Sequence, residues 1–429
     1  MRRAKTSLLR STDQIDLKLS NLPIRHRIGK IWRVVFLAST VFGIIALTIL
    51  MVDIVNDSFG YTAFTSKVDP TTLTTGGKTL DESSAEELIL ILEENLKSNR
   101  LKTLEREKAL SERTTEDLLA LVNAEVVQPE ILAVWGLFDS LYKKEDIAIQ
   151  VSEICAREKI DPKQVKIIFM NWFNRKFITS PQSSDALYAG IRTAILGSLY
   201  IIIITIIVAF PIGIGASIYL QEYATENRIN ELIQTNINNL AGVPSIIYGM
   251  LGLTIFVRVL APLTSGAVFG YSNADPNNGR TILSAGLTMA LLILPVIIIN
   301  SQEAIKSVPK SLREASYGVG GTKWQTVWHH VLPNALPGIL TGTILSMSRA
   351  IGETAPLVIV GASTYITFDP DGVFSKFTTL PIQIYQWTSR PQDEFRALAA
   401  AAIIGLLIML LALNAAAILL RNHFSKRLQ

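Results

Sequence analysis

The 429-residue sequence is poor in cysteine, histidine and charge. Cys155 is its single cysteine, which excludes an intrachain disulfide and a cysteine-based metal site. Of the four histidines, His329 and His330 are adjacent and would point to different faces of a helix, so they predict no shared metal site. Only 18% of the residues are charged, and no basic cluster is interleaved with aromatic residues, which argues against nucleic-acid binding.

Apolar residues, by contrast, are abundant. They make up 49% of the chain, and the mean hydropathy is +0.35, which indicates a membrane protein. A helix needs about 20 apolar residues to cross the hydrocarbon core of a bilayer. We therefore predict an all-α membrane protein with six transmembrane helices, at residues 34–55, 194–220, 243–263, 282–299, 339–360 and 397–420.

Basic residues predict how these helices are oriented. Residues 1–33 contain nine Lys or Arg and two Asp, the composition expected of a basic cytoplasmic amino terminus. The apolar run that follows is longer than that of a signal peptide and lacks a small-residue cleavage site, so we predict an uncleaved first span. With six spans, both termini are expected in the cytoplasm, and residues 422–429 form a cytoplasmic tail.

Residues 56–184 differ in kind from the rest of the chain. Apolar residues recur there every three or four positions with charges between them, and Ser84 and Thr115 are candidate helix caps. We predict a soluble, mostly helical domain on the periplasmic (extracytoplasmic) side. It carries 21 acidic and 16 basic residues. Because this charge repels anions, the domain is expected to support a partner or the assembly rather than to collect an anionic substrate.

One stretch within that domain imitates a nucleotide-binding loop. Residues 76–79, Gly-Gly-Lys-Thr, look like the end of a phosphate-binding P-loop. That motif requires a glycine at the position of Thr72. We therefore predict a turn, and no ATPase or other catalytic site in this chain.

The longest polar run in the second half of the chain is residues 301–338, between the fourth and fifth spans. Its basic residues outnumber its acidic ones, which favours a cytoplasmic position. Glycines at 318, 320 and 321 predict two short helices with a hinge, and Pro333 and Pro337 are expected to end the loop before the fifth span. An ordinary capped loop is the plain alternative.

The loop resembles the coupling loop of bacterial ATP-binding-cassette (ABC) import permeases. Glu314, Ala315, Gly320, Leu332 and Pro333 fall at that motif's spacing, while Ser316 replaces a second alanine and His330 an aliphatic residue. The resemblance implies that separate ABC ATPase subunits grip this loop.

The fifth span carries two ionisable residues, Arg349 and Glu353. They are four apart, so on a helix they share a face and can pair. Arg349 lies about ten residues into the span, which at about 1.5 Å per residue places it near mid-membrane. Ionisable groups are costly there and usually face a pathway or a partner. We favour a translocation pathway in which Arg349 attracts an oxyanion; the alternative is a buried pair that only locks two helices together.

Two further stretches narrow the resemblance. Residues 240–249 (LAGVPSIIYG) and 349–357 (RAIGETAPL), together with 332–339 (LPNALPGI), are similar to the phosphate-specific ABC import permeases, in their PstA-type subunit. The resemblance covers the first span and most of residues 186–421. It implies the type I ABC importer (MetI-like) arrangement and adds Thr354 to the pathway.

The same resemblance implies a function and a set of partners. The chain would form half of the translocation pathway of an ATP-driven importer of inorganic phosphate in the cell inner membrane. Its partners would be a sister permease subunit in a heterodimer, two ABC subunits and a periplasmic phosphate-binding protein. ATP and Mg would be bound by the ATPase subunits, and this chain would hold no cofactor. The outer loops, residues 264–281 and 361–396, are the expected docking face for the binding protein.

Two other functions remain open at this point. Arg349 does not by itself choose between oxyanions, so a permease for sulfate, molybdate or tungstate is an alternative. A membrane signalling receptor is a second alternative, but it would be expected to carry a sizeable cytoplasmic output domain after the last span, where nine residues follow.

Overall fold

The computed structural model of this chain comprises two compact units, Met1–Asn56 and Asp57–Gln429. The residues that it describes are 22–68, 70–73, 80–96, 98–107, 109–271, 279–362 and 365–426. The P-loop-like residues 76–79 and the first part of the basic amino terminus lie outside these ranges, so the predictions made for them stay predictions.

The first unit is built on one long helix. This helix, α1, runs from Leu22 to Ser58 and contains the predicted first span. From Ile24 to Val52 its apolar side chains are exposed on every side; Phe36 and Phe42 have 63% and 74% of their surface accessible. A helix that is apolar on every face is stable in a bilayer rather than in water, in agreement with the predicted membrane location.

The second unit begins with a three-stranded antiparallel sheet that the sequence analysis did not predict. Its strands are β1 (Phe59–Ser66), β2 (Pro129–Val134) and β3 (Lys166–Asn171), in the order β2-β1-β3. The segment 56–184 therefore combines its helices with a small sheet, which the prediction of a mostly helical domain did not include. The three strands are six to eight residues long and distant in sequence, and such short apolar runs do not reveal by periodicity that they pair.

The helices of this segment have a small core of their own. Leu88, Leu92 and Leu118 are fully buried in it. Capping boxes start two of the helices, one at Ser84 as predicted and one at Thr114, one residue before the predicted cap. The α-helices are α2 (Pro70–Leu73), α3 (Ala85–Asn95), α4 (Ser98–Glu107), α5 (Thr115–Val122), α6 (Leu137–Tyr142), α7 (Lys144–Glu158) and α8 (Arg175–Thr179); a π turn (Asn123–Val127) and 3-10 turns (Leu80–Glu82, Leu110–Glu112, Pro162–Gln164) join them.

The remaining helices form the membrane part of the second unit. They are α9 (Arg192–Ile218), α10 (Arg228–Ala241), α11 (Ser245–Gly252), α12 (Ala261–Thr264), α13 (Ile282–Lys306), α14 (Lys310–Gly318), α15 (Lys323–Thr326), α16 (Leu332–Gly352), α17 (Ala355–Val360), α18 (Leu380–Thr388) and α19 (Asp393–Lys426). π turns extend α9, α11 and α15 (Tyr219–Tyr223, Leu253–Val259 and Val327–Val331), and a 3-10 turn covers Ala267–Phe269.

The described part of the chain has five helices long and apolar enough to cross a membrane. They are Ile24–Ser58, Arg192–Tyr223, Ile282–Lys306, Lys323–Gly352 and Asp393–His423. A sixth span is obtained if the pair Arg228–Ala241 and Ser245–Val259, bent by 106°, counts as one. The predicted third span, 243–263, begins at the second arm of this pair. The first arm, α10, lies between the predicted second and third spans, in a stretch for which no helix was predicted.

Helix α13 is the centre of the membrane core. It packs against α9 and α16 at positions where glycine lets the backbones approach. A Cβ on Gly286 would lie 2.6 Å from Ile204, and one on Gly342 would lie 2.5 Å from Asn300. Small residues at such contacts are the usual basis of helix packing in membranes. This packing fixes the helix that carries Arg349 relative to the rest of the bundle.

Candidate functional site

The fifth span is broken at Glu353. Helix α16 ends at Gly352, Glu353 has an extended backbone (φ −76°, ψ 124°), and α17 restarts at Ala355. Pro356 gives the reason, because it has no N–H for the carbonyl of Gly352 and its ring would clash with that carbonyl in a continuous helix. The expectation that Arg349 and Glu353 share one uninterrupted helix was therefore wrong.

The two ionisable side chains nevertheless meet. Arg349 Nε lies 3.4 Å from Glu353 Oε1. Arg349 is 55% exposed, whereas Glu353 is 19% exposed. The carboxylate thus sits at the break in the helix, and more than half of the arginine side chain remains accessible to a ligand. Thr354, the third predicted pathway residue, is half-buried at the N-cap position of α17.

The two stretches singled out by the sequence lie together around this break. Arg349 lines a narrow pocket with Ser245, Tyr248 and Ser346. The rest of its lining is Leu240, Ala241, Val243, Leu292, Ile293 and Val296. A Cβ on Gly249 would lie 2.7 Å from the Cα of Pro356, so α11 contacts α17 directly. The stretches 240–249 and 349–357 are one site in space.

This arrangement is chemically suited to bind an anion weakly. A guanidinium offers several N–H donors in a fork that matches the oxygens of a carboxylate or phosphate. Glu353 already occupies one donor and adds a negative charge, which would weaken the hold on a second anion. The pocket that Arg349 lines is mostly apolar, and its other polar groups are the hydroxyls of Ser245, Tyr248 and Ser346. The geometry is compatible with weak, reversible contact between Arg349 and an anion.

The 301–338 loop is a compact knob of two short helices. Gly320 joins α14 to α15 with φ +84°, a conformation that favours glycine. The hydroxyls of Ser316 and Thr326 lie 2.8 Å apart and tie the two helices together. Glu314 and Ala315 are exposed on α14.

The end of the knob differs from the prediction. Pro333 lies in the first turn of α16 and Pro337 inside that helix, so neither separates the loop from the fifth span. The π turn Val327–Val331 directly precedes Leu332, which starts α16. The loop and the span therefore form one continuous helical segment from Lys323 to Gly352.

Exposed aromatic residues cover the outer surface of the knob. Trp324 and Trp328 stack with ring centroids 5.3 Å apart and are 58% and 51% exposed. Val319 is 88% exposed beside the hinge. More than half of the surface of each indole side chain is therefore accessible. A stacked pair of exposed tryptophans makes this face of the knob a candidate interaction surface.

One structural residue was missed altogether. Glu222 accepts hydrogen bonds from Arg313 of the knob, at 2.7 Å from Nη2 and 3.1 Å from Nε. The two residues are 91 positions apart, so no sequence pattern links them.

As for metals, the described residues contain no group of three or more His, Cys, Asp or Glu that could hold an ion. Both His329 and His330 are exposed.

Apolar helices long enough to span a membrane, a charged pair at a broken span and a knob between two spans are the features expected of a membrane transport permease. Residues 209–429 match the family described as binding-protein-dependent transport system inner membrane component. The chain belongs to this family of ABC transporter permeases. The match does not include residues 56–184.

The chain is also similar to individual proteins. The chain is 33% identical over 267 residues to YqgI of Bacillus subtilis strain 168, named as a probable ABC transporter permease protein, covering 59% of this chain and 85% of that one. It is also 33% identical over 240 residues to the phosphate transport system permease protein PstA 1 of Mycobacterium tuberculosis strain H37Rv, covering 56% and 71%. Among solved structures, an inward-facing MetNI methionine ABC transporter aligns with a TM-score of 0.41 and 16% identity, covering 55% of this chain and 97% of that one.

Proposed function

We propose that this chain is the PstA-type permease subunit of an ATP-driven phosphate importer and forms half of its translocation pathway. The observation that carries the proposal is the accessible Arg349 beside Glu353 at the break of the fifth span. The similarity to PstA 1 supports phosphate as the solute. We expect both termini in the cytoplasm, so that the knob lies on the side where ATP is available.

In this proposal, phosphate passes the break in the fifth span in contact with Arg349. The guanidinium donates to the phosphate oxygens, and the Thr354 hydroxyl is a further donor at the break. Glu353 holds part of the guanidinium and repels the arriving anion, which keeps the binding weak enough for release. The chain performs no covalent chemistry.

The proposed partners follow from the surfaces of the chain. A sister permease subunit supplies the other half of the pathway, on the side where Arg349 is exposed. Two ABC subunits bind the knob formed by Glu314, Ala315, Gly320 and the beginning of α16 at Leu332 and Pro333, and they hold ATP and Mg. A periplasmic phosphate-binding protein delivers the ion to the outer loops. Because the helix is continuous from Lys323 to Gly352, movement of the knob reaches Arg349 directly.

The decisive experiment measures which oxyanion is transported. The complete complex is reconstituted in liposomes with ATP inside the compartment that faces the knob, and uptake of labelled phosphate is followed with sulfate, molybdate or tungstate as competitors. We expect phosphate to be taken up at a rate that excess sulfate, molybdate and tungstate do not change. We also expect Arg349→Gln to abolish this uptake. Uptake of another oxyanion in preference to phosphate would overturn the choice of substrate, and full uptake by Arg349→Gln would overturn the role of Arg349.

A further inference from the structure

The sheet of the 56–184 segment has two edge strands, β2 and β3; the residues of β2 are mostly half-buried and those of β3 mostly exposed, so β3 is the open edge. Its central strand is β1, and the edge strand β2 is covered, because Ile131 and Val134 pack against a buried cluster that includes Trp387 and Leu398. Strand β3 forms the opposite edge. Helix α7 covers β1 through Ile147 and Val151, so β3 is the strand left at the surface.

The hydrogen-bonding groups of β3 alternate between β1 and the open edge. Trp172 N–H donates to Ser58 O at 3.2 Å, and Phe59 lies opposite Asn171. Because bonded and non-bonded pairs alternate in an antiparallel ladder, the N–H and C=O of Ile167 and Phe169 point away from β1. Within the described ranges, neither residue has a hydrogen-bond partner for these groups.

The side chains at this edge are apolar and exposed on both faces. Ile167, Ile168 and Phe169 have 41%, 52% and 48% of their surface accessible. Phe169 contacts Tyr61 edge-on at 5.6 Å between ring centroids, which leaves its outer side open. Proteins normally protect such an edge, because unpaired N–H and C=O groups beside apolar side chains invite another strand.

The charge around β3 is opposite to that of the rest of the segment. Residues 156–176 contain six Lys or Arg and two Asp or Glu, whereas the remaining residues of 56–184 contain 10 basic and 19 acidic. Lys159, Lys166, Arg175 and Lys176 are all exposed. The open edge therefore lies in the basic part of an otherwise acidic segment.

We propose that β3 is a docking edge for an extended, acidic segment of a partner protein, which adds to the sheet as a further strand. Backbone groups at 167 and 169 would pair with it, apolar side chains would cover Ile167 and Phe169, and carboxylates would meet Lys166 and its basic neighbours. A second copy of this chain would bring the same basic charge to the edge. A lipid surface would cover the side chains but leave the backbone groups without partners.

The test uses the full chain in nanodiscs of neutral phosphatidylcholine and fluorescent peptides matched in length to β3. One peptide alternates Val and Thr between terminal Asp residues; the second has Lys in place of each Asp, and the third has a central Pro. Anisotropy titrations should show the Asp peptide binding at least about tenfold more tightly than either of the others, a difference of about 1.4 kcal/mol.

Variants of the chain locate the binding. Phe169→Pro removes an outward N–H without removing a bond to β1 and should lower affinity for the Asp peptide about tenfold. Ile168→Glu keeps the backbone pattern and places a carboxylate at the edge, so it should weaken binding of the Asp peptide and improve that of the Lys peptide. Tyr142→Lys, at an 81% exposed apolar position outside the sheet, is the matched control and should change neither affinity. Circular dichroism checks that each variant is folded.

Three results would overturn the proposal. The first is equal affinity of the Asp and Lys peptides, and the second is binding that Phe169→Pro and Ile168→Glu leave unchanged. The third is occupation of the edge by a second copy of this chain or by lipid. Light scattering would reveal the former as a dimer that depends on β3, and flotation with phosphatidylglycerol vesicles that both variants abolish would reveal the latter. Phosphate uptake is not a readout here, so failure of the transport proposal would leave this experiment interpretable.

Discussion

Arg313 and Glu222 form a shielded ion pair between the knob and the carboxyl end of the second span. Arg313 Nη2 lies 2.7 Å from Glu222 Oε1, and the side chains are 17% and 7% exposed. The same guanidinium donates to Val308 O at 2.7 Å and to Ile305 O at 2.9 Å. One side chain therefore joins α14 to the π turn after α9 and to the end of α13.

We expect Arg313→Gln to loosen the knob and to reduce coupling between ATP hydrolysis and uptake. Removing one partner of a buried pair typically costs about 3–5 kcal/mol, because the other charge is left uncompensated. Thermal unfolding of the purified chain and uptake per ATP hydrolysed are the measurements. Glu222→Gln should give a similar loss. The exposed pair of Lys143 and Asp139 is the control, and Lys143→Ala should alter neither quantity. Unchanged coupling in Arg313→Gln would contradict this role.

Gly320→Val should impair the hinge of the knob. A Cβ at this position meets nothing within 4 Å, so there is room for a side chain. The difficulty is the positive φ of +84°, which residues other than glycine rarely adopt. A side chain there costs roughly 1–2 kcal/mol and more when it is β-branched. We expect normal insertion but weak ATPase binding, measured by co-purification and stimulated ATPase activity.

Gly318 provides the matched control for the hinge. It has equally open surroundings but lies at the end of α14 without a positive φ. Gly318→Ala should therefore retain both ATPase binding and uptake. If both variants lost ATPase binding equally, the cause would be the change in the surface of the knob and not its backbone conformation.

Ser316→Ala should have a small effect on stability and none on transport. Its hydroxyl bonds to that of Thr326, but Thr326 also donates to Thr322 O at 3.0 Å and would keep that bond. A lost hydrogen bond of this kind typically costs about 1 kcal/mol. Thermal unfolding and uptake measure the two effects, and Thr326→Val, which leaves Ser316 without its partner, should cost more. A large transport defect in Ser316→Ala would show that the hydroxyl acts beyond packing.

The membrane helices could be predicted from the sequence because long apolar runs report the bilayer directly. The knob could be predicted because the glycines at 318, 320 and 321 mark a local change of chain direction. The break at Glu353 was missed, although Pro356 carries the signal; read as a helix breaker, it places the end of α16 correctly. Hydropathy and glycine positions therefore predicted the spans and the knob, whereas the break in the fifth span was missed because Pro356 was not treated as a helix breaker.

Long-range features were beyond the reach of these patterns. The pairing of β1 with β2 and β3 joins residues 59–66 to residues 129–134 and 166–171. The local sequence of each strand does not indicate which other strand it pairs with. The same holds for Arg313 and Glu222. The contact of Gly249 with Pro356 joins two stretches that the sequence singled out separately, but the packing of α11 on α17 was needed to bring them together.

The last prediction separates a transport role of Arg349 and Glu353 from a purely structural one. Arg349→Gln should abolish phosphate uptake while the complex still assembles, because Gln keeps much of the length and is less costly to bury. Arg349→Lys should rescue only part of the uptake, since an ammonium lacks the paired donors of a guanidinium. Both variants are measured by uptake alongside the amount of complex in the membrane.

Glu353→Gln and the double variant complete the test. Glu353 is largely buried and touches Arg349 at a single donor, so Glu353→Gln should leave assembly intact and change the transport rate or the selectivity among anions. If the pair only locked the helices, each single variant would lose assembly, because it leaves one charge without its partner. The neutral double variant would then recover both assembly and uptake. Recovery of uptake with both residues neutral would refute a pathway role for Arg349, since no positive group would remain there to attract the anion.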